Sequence, residues 1–313
     1  MSDEITLQDL LEVQKHFGLP SAALVEKDFR VVQALAAINS TDTAPLRLVF
    51  GGGTALSRAH RLIRRMSEDI DLRIVSDRKP TRPALRRLRE TITEALLTAG
   101  FRFDPNNSAH RESRNESRYT IYRLPYDPLI RGEGALRPEI QIEISVWPLR
   151  IQAIDLPVSS FVAEAFQRPP EVASITCVSI VETITDKFVA LTRRVGADLS
   201  NPDRARDNTL VRHIYDLHVA RNRYNPTEVA SLLHAIMLAD AKAYGNQFPA
   251  YRENPMAETL RAVDGLANDP TYSQRYEEFQ RNMVYGDQVN YSACIATLRD
   301  LARRFSLGNS FDG

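Results

Sequence analysis

The sequence predicts an α+β fold in which a β-sheet flanked by helices is followed by a mainly helical C-terminal domain. Strand-like alternation of apolar and polar residues lies before about residue 150, and helical spacing dominates after it. The 313 residues, 43% of them hydrophobic, suffice for one large domain or two ordinary ones. Because prolines interrupt the stretch between residues 150 and 175, we predict two domains, at residues 1–160 and 161–313.

The chain begins with two amphipathic helices, at residues 7–15 and 24–38, where apolar side chains recur every three or four positions. An apolar run at residues 47–50 then predicts a strand that ends in glycines. We expect a helix at residues 55–65 and a second strand at residues 70–75 to follow. The predicted unit is strand, glycine turn, helix, strand.

The remaining elements follow the same two periodicities. A helix is predicted at residues 82–99, and strands at residues 119–124 and 139–147, where polar and apolar residues alternate. Beyond the proline-containing stretch, helical patterns lie at residues 179–194, 208–221, 227–239 and 272–305. These helices make up the predicted C-terminal domain.

The composition limits the classes of function. Forty basic residues balance forty acidic ones, so any surface for nucleic acid must be local. Cys177 and Cys294 are far apart in the sequence, which predicts neither a zinc site nor a disulfide framework. The chain has no apolar leader and no run of about 18 apolar residues, so we expect a cytoplasmic protein with no membrane partner.

A glycine turn joins the first strand to its helix. Gly51, Gly52 and Gly53 are followed by Thr54, a residue able to cap a helix. Glycine lets a phosphate approach the backbone closely, and the N–H groups at a helix start attract anions. The turn is therefore a candidate phosphate site, although a tight turn without a ligand would have the same sequence. It is not a P-loop, because no Gly-Lys-Ser/Thr follows.

Two aspartates, Asp69 and Asp71, lie at the start of the second strand. Side chains alternate along a strand, so both carboxylates point to one face, with Cα atoms about 6.5–7 Å apart. Such a pair repels unless a cation lies between its members, and Mg²⁺ commonly takes one or two carboxylates. Many D-x-D pairs are solvated turn residues, but the glycine turn one helix earlier favours a metal and phosphate site.

A third carboxylate is available on the strand at residues 139–147. Glu139, Gln141 and Glu143 share one face of this strand, and isoleucines share the other. If the strand joins the sheet beside the two aspartates, one glutamate completes a two-metal site, and we favour Glu143. The alternative is a face that is simply exposed to solvent.

Five collinear motifs resemble the AbiEii/AbiGii toxin family of the nucleotidyltransferase superfamily, which includes the MenT-type toxins. The matching stretches are EKD at 26–28, VFGGGTAL at 49–56, RMSEDIDL at 65–72, VSIVE at 178–182 followed by DKFVALTR at 186–193, and RHIYDL at 212–217. They occur in the family's order, which makes the set far more specific than any single motif. The resemblance implies a nucleotidyltransferase-like mixed β-sheet.

The resemblance also implies roles for the residues of the glycine turn and the acidic strand. Gly52, Thr54 and Ser67 would hold the triphosphate of a nucleotide, and Asp69 and Asp71 would bind Mg²⁺ or Mn²⁺. A phosphate added to Ser67 would place about two negative charges beside these acids and compete with the substrate. Modification of Ser67 is therefore a hypothesis for regulation.

In the C-terminal domain, the resemblance implies that Lys187 binds the nucleotide phosphates and that Asp216 completes the site. Where the family often has an acid, this chain has His213, which leaves Asp216 as the expected site residue. On its own helix, Lys187 lies between Ile184 and Leu191 at the margin of the apolar face. From there a lysine reaches either solvent or a cleft.

The expected reaction is attack of an acceptor hydroxyl on the α-phosphorus of a nucleoside triphosphate, with release of pyrophosphate. Positioning and neutralisation of charge do most of such catalysis. The general base could be Asp69, Asp71 or Glu143, and the sequence leaves these three open.

MenT-like relatives add nucleotides to the 3′ ends of tRNA, so the resemblance implies an RNA acceptor, with tRNA as the first choice. An RNA surface needs basic residues, and six lie within twelve positions: Arg78, Lys79, Arg82, Arg86, Arg87 and Arg89. A solvated helix face would have the same pattern. The family also implies a bacterial toxin–antitoxin (abortive infection) system, and hence a cognate antitoxin as partner.

Three other functions remain open at this point. The fold could bind nucleotide as a regulatory module without catalysis, although such a module has no need of clustered acids. A metal-dependent nuclease would use the same carboxylates to shorten RNA. A transferase of the aminoglycoside-modifying kind would act on a small molecule.

Overall fold

The computed structural model describes residues 5–308 except 131–135, 202, 204, 205 and 247. The chain forms two compact units, Met1–Ser179 and Ile180–Gly313. The sequence prediction placed the division at residue 160 instead. The difference arises because the proline-containing stretch adds two strands to the sheet of the first unit.

The described residues of the first unit form a mixed seven-stranded sheet. Numbered in chain order, its strands lie side by side in the order β3-β4-β5-β2-β1-β7-β6. The strands β2 and β5 pair in parallel, as do β1 and β7, and the other neighbours are antiparallel. The strands are β1 Arg47–Gly51, β2 Asp69–Val75, β3 Arg111–Arg114, β4 Tyr119–Pro125, β5 Glu139–Val146, β6 Ile154–Val158 and β7 Val172–Cys177. The predicted mixed sheet is confirmed.

The helices of the first unit are α1 Leu7–Phe17, α2 Ala22–Asn39, α3 Gly52–Thr54, α4 Arg82–Thr98 and α5 Phe161–Ala165. One face of the sheet forms the core with α2 and α4, where Leu35 and Ile92 pack with Leu72 and Ile142. Along β2 the residues on this face are buried, whereas those at alternate positions, including the two aspartates, are half-buried. The period of two therefore places the acids on the face opposite this core.

The helix after the glycine turn differs from its prediction at residues 55–65. It begins at Gly52 and continues as a π-helical turn, Ala55–Ala59, where it ends. Arg61 has φ 55, a left-handed backbone conformation that stops the helix. The next residues instead bury Leu62, Ile63 and Met66 without regular structure.

The strands β3, β6 and β7 and the helix α5 were not predicted. The four residues of β3 are all polar, and β6 contains Pro157 and exposes most of its side chains, so neither has a clear alternating pattern. These strands form because their backbones pair with the neighbouring strands β4 and β7.

The second unit is helical, as predicted. Its helices are α6 Ile180–Ser200, α7 Val211–Val219, a 3₁₀ turn Ala220–Arg223, α8 Pro226–Tyr244, α9 Pro249–Glu253, α10 Pro255–Asn268, α11 Pro270–Met283 and α12 Tyr291–Gly308. The helix α6 packs against α8 and α10, and α12 packs against α7 and α8. Four helices begin at proline, which needs no N–H partner at that position, and Asn225, Asn254 and Asp269 cap three of them.

The predicted stretch at residues 272–305 is two helices, α11 and α12, and the helices α9 and α10 had no prediction. Among the described residues, no helix has both the length and the apolar character needed to cross a membrane.

Candidate functional site

The glycine turn and Asp71 lie against each other. Gly51, the last residue of β1, pairs with Asp71 of β2 in the antiparallel ladder. Gly52 has φ 73, and a Cβ built on it would lie 2.6 Å from Asp71 Cγ and closer still to Oδ2. Only a residue without a side chain fits there, because the Asp71 carboxylate takes that space. The chain thus folds one predicted metal ligand directly onto the predicted phosphate turn.

Ser67 and Thr54 lie on the other side of the turn. A Cβ on Gly53 would lie 2.6 Å from Ser67 Oγ and 2.7 Å from a terminal nitrogen of Arg65. The Thr54 hydroxyl lies 3.0 Å from Ser67 Oγ and also donates to the backbone carbonyl of Asp69. The turn is therefore connected to the start of β2, where the two aspartates are.

The third predicted acid, Glu143, lies beside Asp71 on the neighbouring strand. The parallel register pairs Asp71 with Glu143 and Asp69 with Gln141, so all four side chains share one face. Gln141 Nε2 donates to Glu143 Oε1 at 2.7 Å. Burial raises the pKa of Tyr119, and the charge and hydrogen bond of Glu143 raise it further. The strand that carries Glu143 thus joins the sheet beside the two aspartates, which was the condition for a third carboxylate at the site.

Arg137 is a site residue that the sequence analysis missed. Its guanidinium donates to Asp69 Oδ1 and, at 2.6 Å, to Gln141 Oε1, and its Nε lies 3.6 Å from Glu68 Oε1. The guanidinium therefore supplies positive charge directly to one of the two aspartates. Its only sequence signal was its position just before the acid-bearing strand β5.

A buried lysine of α2 holds Arg137 in place. Lys27 donates to the backbone carbonyls of Arg137, at 2.7 Å, and of Glu139, and its Nζ lies 3.4 Å from Glu68 Oε2. Glu68 in turn accepts from the backbone N–H of Arg137 at 3.2 Å. Burial lowers the pKa of Lys27, and Glu68 opposes that shift. Lys27 thus fixes the backbone on which Arg137 and the first residue of β5 stand.

The neighbours of Lys27 hold two further segments. Both carboxylate oxygens of Glu26 accept from the backbone N–H of Leu129 at 3.0 Å. Asp28 accepts from the backbone N–H of Phe161 at 2.7 Å and lies 3.2 Å from Arg58 Nε. Burial raises the pKa of Asp28 to about 6, although Arg58 opposes the shift. The EKD motif therefore ties α2 to three segments of the first unit.

The two aspartates of β2 fit a divalent metal ion. Asp69 and Asp71 offer carboxylate oxygens on one face of a rigid strand, which fits the preference of Mg²⁺ for one or two carboxylates. In the part of the chain that the structure describes, no group of three or more acidic, histidine or cysteine side chains is arranged to hold a metal. The pair fits the ion, and the predicted part of Glu143 as a third ligand stays a prediction.

In the second unit, Lys187 of α6 pairs with Asp216 of α7. Lys187 Nζ lies 2.9 Å from Asp216 Oδ2, and the two side chains are 8% and 0% exposed. The sequence left open whether Lys187 reaches solvent or a cleft. In the structure its ammonium is largely buried and does not extend into solvent. A buried ion pair of this kind is costly to form from hydrated groups, which makes it a candidate for a functional role.

The members of the predicted basic run have different surroundings. Arg82 pairs with Glu116, Arg86 Nε lies 2.8 Å from Glu90 Oε1, and Arg89 donates to Ser113 Oγ at 3.1 Å. Arg87 is exposed on α4. Arg78 and Lys79, which precede that helix, line a large cleft in the first unit.

Two comparisons with known proteins agree with this geometry. The sequence model of a family described as the nucleotidyl transferase AbiEii toxin of type IV toxin–antitoxin systems matches residues 33–302. The structure is similar to that of MenT4, a nucleotidyltransferase toxin from Mycobacterium tuberculosis H37Rv, with a TM-score of 0.52 and 16% identity over 95% of this chain and 98% of that chain. No curated protein matches the sequence. At this identity the structural likeness supports the fold alone.

Proposed function

Because the chain belongs to the AbiEii family of nucleotidyl transferase toxins of type IV toxin–antitoxin systems, we propose that it transfers a nucleoside monophosphate from a nucleoside triphosphate to RNA. The tRNA 3′ end is the expected acceptor, and pyrophosphate is the second product. The observation that carries this proposal is the position of the Asp71 carboxylate on the glycine turn, with Ser67 on the other side of that turn.

The residues of the turn provide the binding part of the reaction. Backbone N–H groups at the start of α3, together with the hydroxyls of Thr54 and Ser67, suit the oxygens of a triphosphate. Arg65, whose guanidinium lies next to Gly53, adds positive charge. Asp69 and Asp71 would hold Mg²⁺ or Mn²⁺, which neutralises phosphate charge when bound.

The chemical step is an in-line displacement. The bond between the acceptor oxygen and the α-phosphorus forms, the bond to the bridging oxygen of the β-phosphate breaks, and pyrophosphate takes the electron pair. The hydroxyl proton passes to a carboxylate, for which Asp69, Asp71 and Glu143 are the candidates. A hydrogen bond of 2.7 Å from Gln141 Nε2 orients the Glu143 carboxylate by its Oε1 atom.

We propose that Lys187 and Asp216 also serve the reaction, Lys187 through the charge of its ammonium. Lys187→Met alone removes the ammonium beside the fully buried Asp216 carboxylate, which should cost about 3–5 kcal/mol of stability. The double variant Lys187→Met/Asp216→Asn removes both charges and should regain much of that stability without regaining transfer.

A matched control is Arg193→Met/Asp240→Asn, which removes another largely buried ion pair of the same unit, 2.7 Å apart. We expect this variant to keep transfer. Full activity in the Lys187→Met/Asp216→Asn protein would assign its pair to structure alone.

The family also supports the remaining proposals about cellular context. We propose a cognate antitoxin as partner and the cytoplasm, where NTP and tRNA are found, as the place of action. An antitoxin that modifies Ser67 would block the phosphate side of the turn. Mass spectrometry of the protein co-expressed with its neighbouring gene would show a phosphate on Ser67, and an unmodified Ser67 in inhibited protein would exclude this mode of control.

The decisive test is a transfer assay with each of the four labelled NTPs, Mg²⁺ and total RNA, followed by sequencing of the labelled RNA. Asp69→Asn and Asp71→Asn should reduce transfer by about 10³-fold or more, because each removes a charge from the reacting centre. Glu94→Gln, which changes an exposed acid of α4, is the control and should retain activity.

The same assay separates the other functions. Tight NTP binding with no transfer to any acceptor would indicate a regulatory module, and RNA shortening without added NTP would indicate a nuclease. Labelling of a small acceptor in the absence of RNA would indicate a small-molecule transferase.

A further inference from the structure

The cleft that Arg78 and Lys79 line has a volume of about 790 Å³ and lies at the far end of the strands that carry the candidate site. We name it the distal cleft. Five basic side chains and the only tryptophan of the chain line it: Arg47, Arg78, Lys79, Arg118, Arg150 and Trp147. Two acids, Asp77 and Asp155, also line it. The lining therefore has three more basic than acidic side chains, in a chain whose formal net charge is zero.

The strand register relates the distal cleft to the glycine turn. Gly51, Asp71 and Glu143 form one row across β1, β2 and β5, and Val49, Arg73 and Ser145 form the next row on the same face. The row after that begins with Arg47, which lines the cleft. Arg47 is four positions from Gly51 along β1, about 13 Å at the rise of a strand. The Arg47 end of the cleft therefore lies two rows beyond the row of acids.

Residues of two chemical kinds line the distal cleft. Arginine forks onto phosphate oxygens, and an indole ring stacks on an unpaired base. Together they suit both halves of a nucleotide, whereas an acidic peptide would use only the arginines.

We propose that the distal cleft binds an unpaired segment of the acceptor RNA, with its arginines on the phosphates and Trp147 stacked on a base. This inference rests on the RNA acceptor of the proposed function. Of the six residues in the predicted basic run, only Arg78 and Lys79 line the cleft, so the proposal assigns RNA binding to these two members of the run alone.

The fluorescence of Trp147 tests the proposal without any substitution. Since the chain has a single tryptophan, its emission reports on the distal cleft alone. The probes are a ten-nucleotide oligouridylate, an RNA duplex of ten base pairs and poly-L-glutamate. We expect saturable quenching by the oligouridylate that weakens with salt, and little change with the other two. Unchanged emission while the oligouridylate binds by anisotropy, or equal quenching by poly-L-glutamate, would overturn the proposal.

A charge-removing variant tests the arginines. Arg47→Gln/Arg118→Gln should weaken oligouridylate binding by about tenfold or more, because two phosphate contacts are lost. The control Arg102→Gln/Arg303→Gln removes the same charge from exposed positions that do not line the cleft, and should bind as the unmodified protein does. Equal losses in both proteins would mean that general charge, and not the cleft, binds RNA.

Failure of this inference can be told apart from failure of the proposed function. If the protein transfers nucleotides to RNA but Trp147 is not quenched, the proposed RNA binding by the distal cleft is wrong and the proposed transferase activity is not affected. If RNA quenches Trp147 but none of the four NTPs supports transfer, the distal cleft binds RNA and the proposed transferase activity is wrong. If both hold, Arg47→Gln/Arg118→Gln should raise the KM for RNA about tenfold and leave the KM for NTP unchanged.

Discussion

Gly52 shows how one backbone position places two functional groups. Its φ of 73 turns the chain from β1 into α3, and its missing side chain leaves room for the Asp71 carboxylate. A larger residue would meet both restrictions at once. The glycine is therefore required for the position of the acid as well as for the turn.

Gly52→Ala should abolish transfer, because the new Cβ displaces the Asp71 carboxylate from the turn. Gly18→Ala is the matched control, since Gly18 has a similar φ of 62 but nothing within 4 Å of its added Cβ. Both variants should lose about 1–2 kcal/mol for the left-handed conformation, and Gly52→Ala should lose more. Equal stability losses with retained transfer would show that the carboxylate moves aside at no cost.

Asp28 gives the first unit an unusual dependence on pH. Its folded pKa of about 6 exceeds the ordinary 3.8, so the folded chain binds more protons than the unfolded chain between these values. The contribution of Asp28 to stability therefore rises as the pH falls through this window. Between pH 7 and 4.5 the expected gain is about 2 kcal/mol.

Comparison with Asp28→Asn isolates this gain. Trp147 lies in the same unit, so its emission follows unfolding of that unit in urea at each pH. The stability of the unmodified protein relative to Asp28→Asn should increase on acidification. A difference between the two proteins that is the same at pH 7 and 4.5 would contradict the raised pKa.

At the scale of elements, α2 organises the first unit through three consecutive charged residues. Glu26, Lys27 and Asp28 are all buried, and each bonds to the backbone of a different segment. A helix normally exposes such residues. These bonds to three backbone segments give the EKD motif a structural role.

Lys27→Met should destabilise the first unit by about 3 kcal/mol, because it leaves Glu68 buried with less compensating charge. It should also lower transfer, since Arg137 loses the bond that fixes its backbone. In the double variant Lys27→Met/Glu68→Gln the loss should be smaller than the sum of the single losses, as measured by urea unfolding. Strictly additive losses would mean that the two side chains do not interact.

The two aspartates and the glycine turn were predictable because their positions follow from local periodicity and lie within 20 residues of one another. The role of Arg137 was not, because its partners Asp69 and Lys27 are 68 and 110 residues away in the sequence. Local patterns contain no information about such pairs. The strands β3 and β6 were missed for a different reason, because they form by pairing with neighbouring strands and their own composition has no strand pattern.

The charge of the whole molecule predicts how RNA binding responds to salt. Because forty basic residues balance forty acidic ones, the proposed binding of RNA should depend on the five basic side chains of the distal cleft. A single strand releases about 0.7 counterions per phosphate contact, so the slope of log affinity against log salt should be no steeper than about −3.5.

Titrations of oligouridylate between 50 and 200 mM salt measure this slope. Arg47→Gln/Arg118→Gln should reduce it by about 1.4, two contacts at about 0.7 each. A slope near −7 would require about ten contacts and would show that a larger surface takes part.

The arrangement of the sheet face gives the first unit an electrical polarity along its strands. Acids crowd one end, and an excess of bases lines the other, about 13 Å away. A polyanion drawn to the positive pole would be repelled by the opposite pole until a cation masks it. The nucleotide and its cation would then have to bind before the RNA, and the charges on the sheet would set the order in which the two substrates bind.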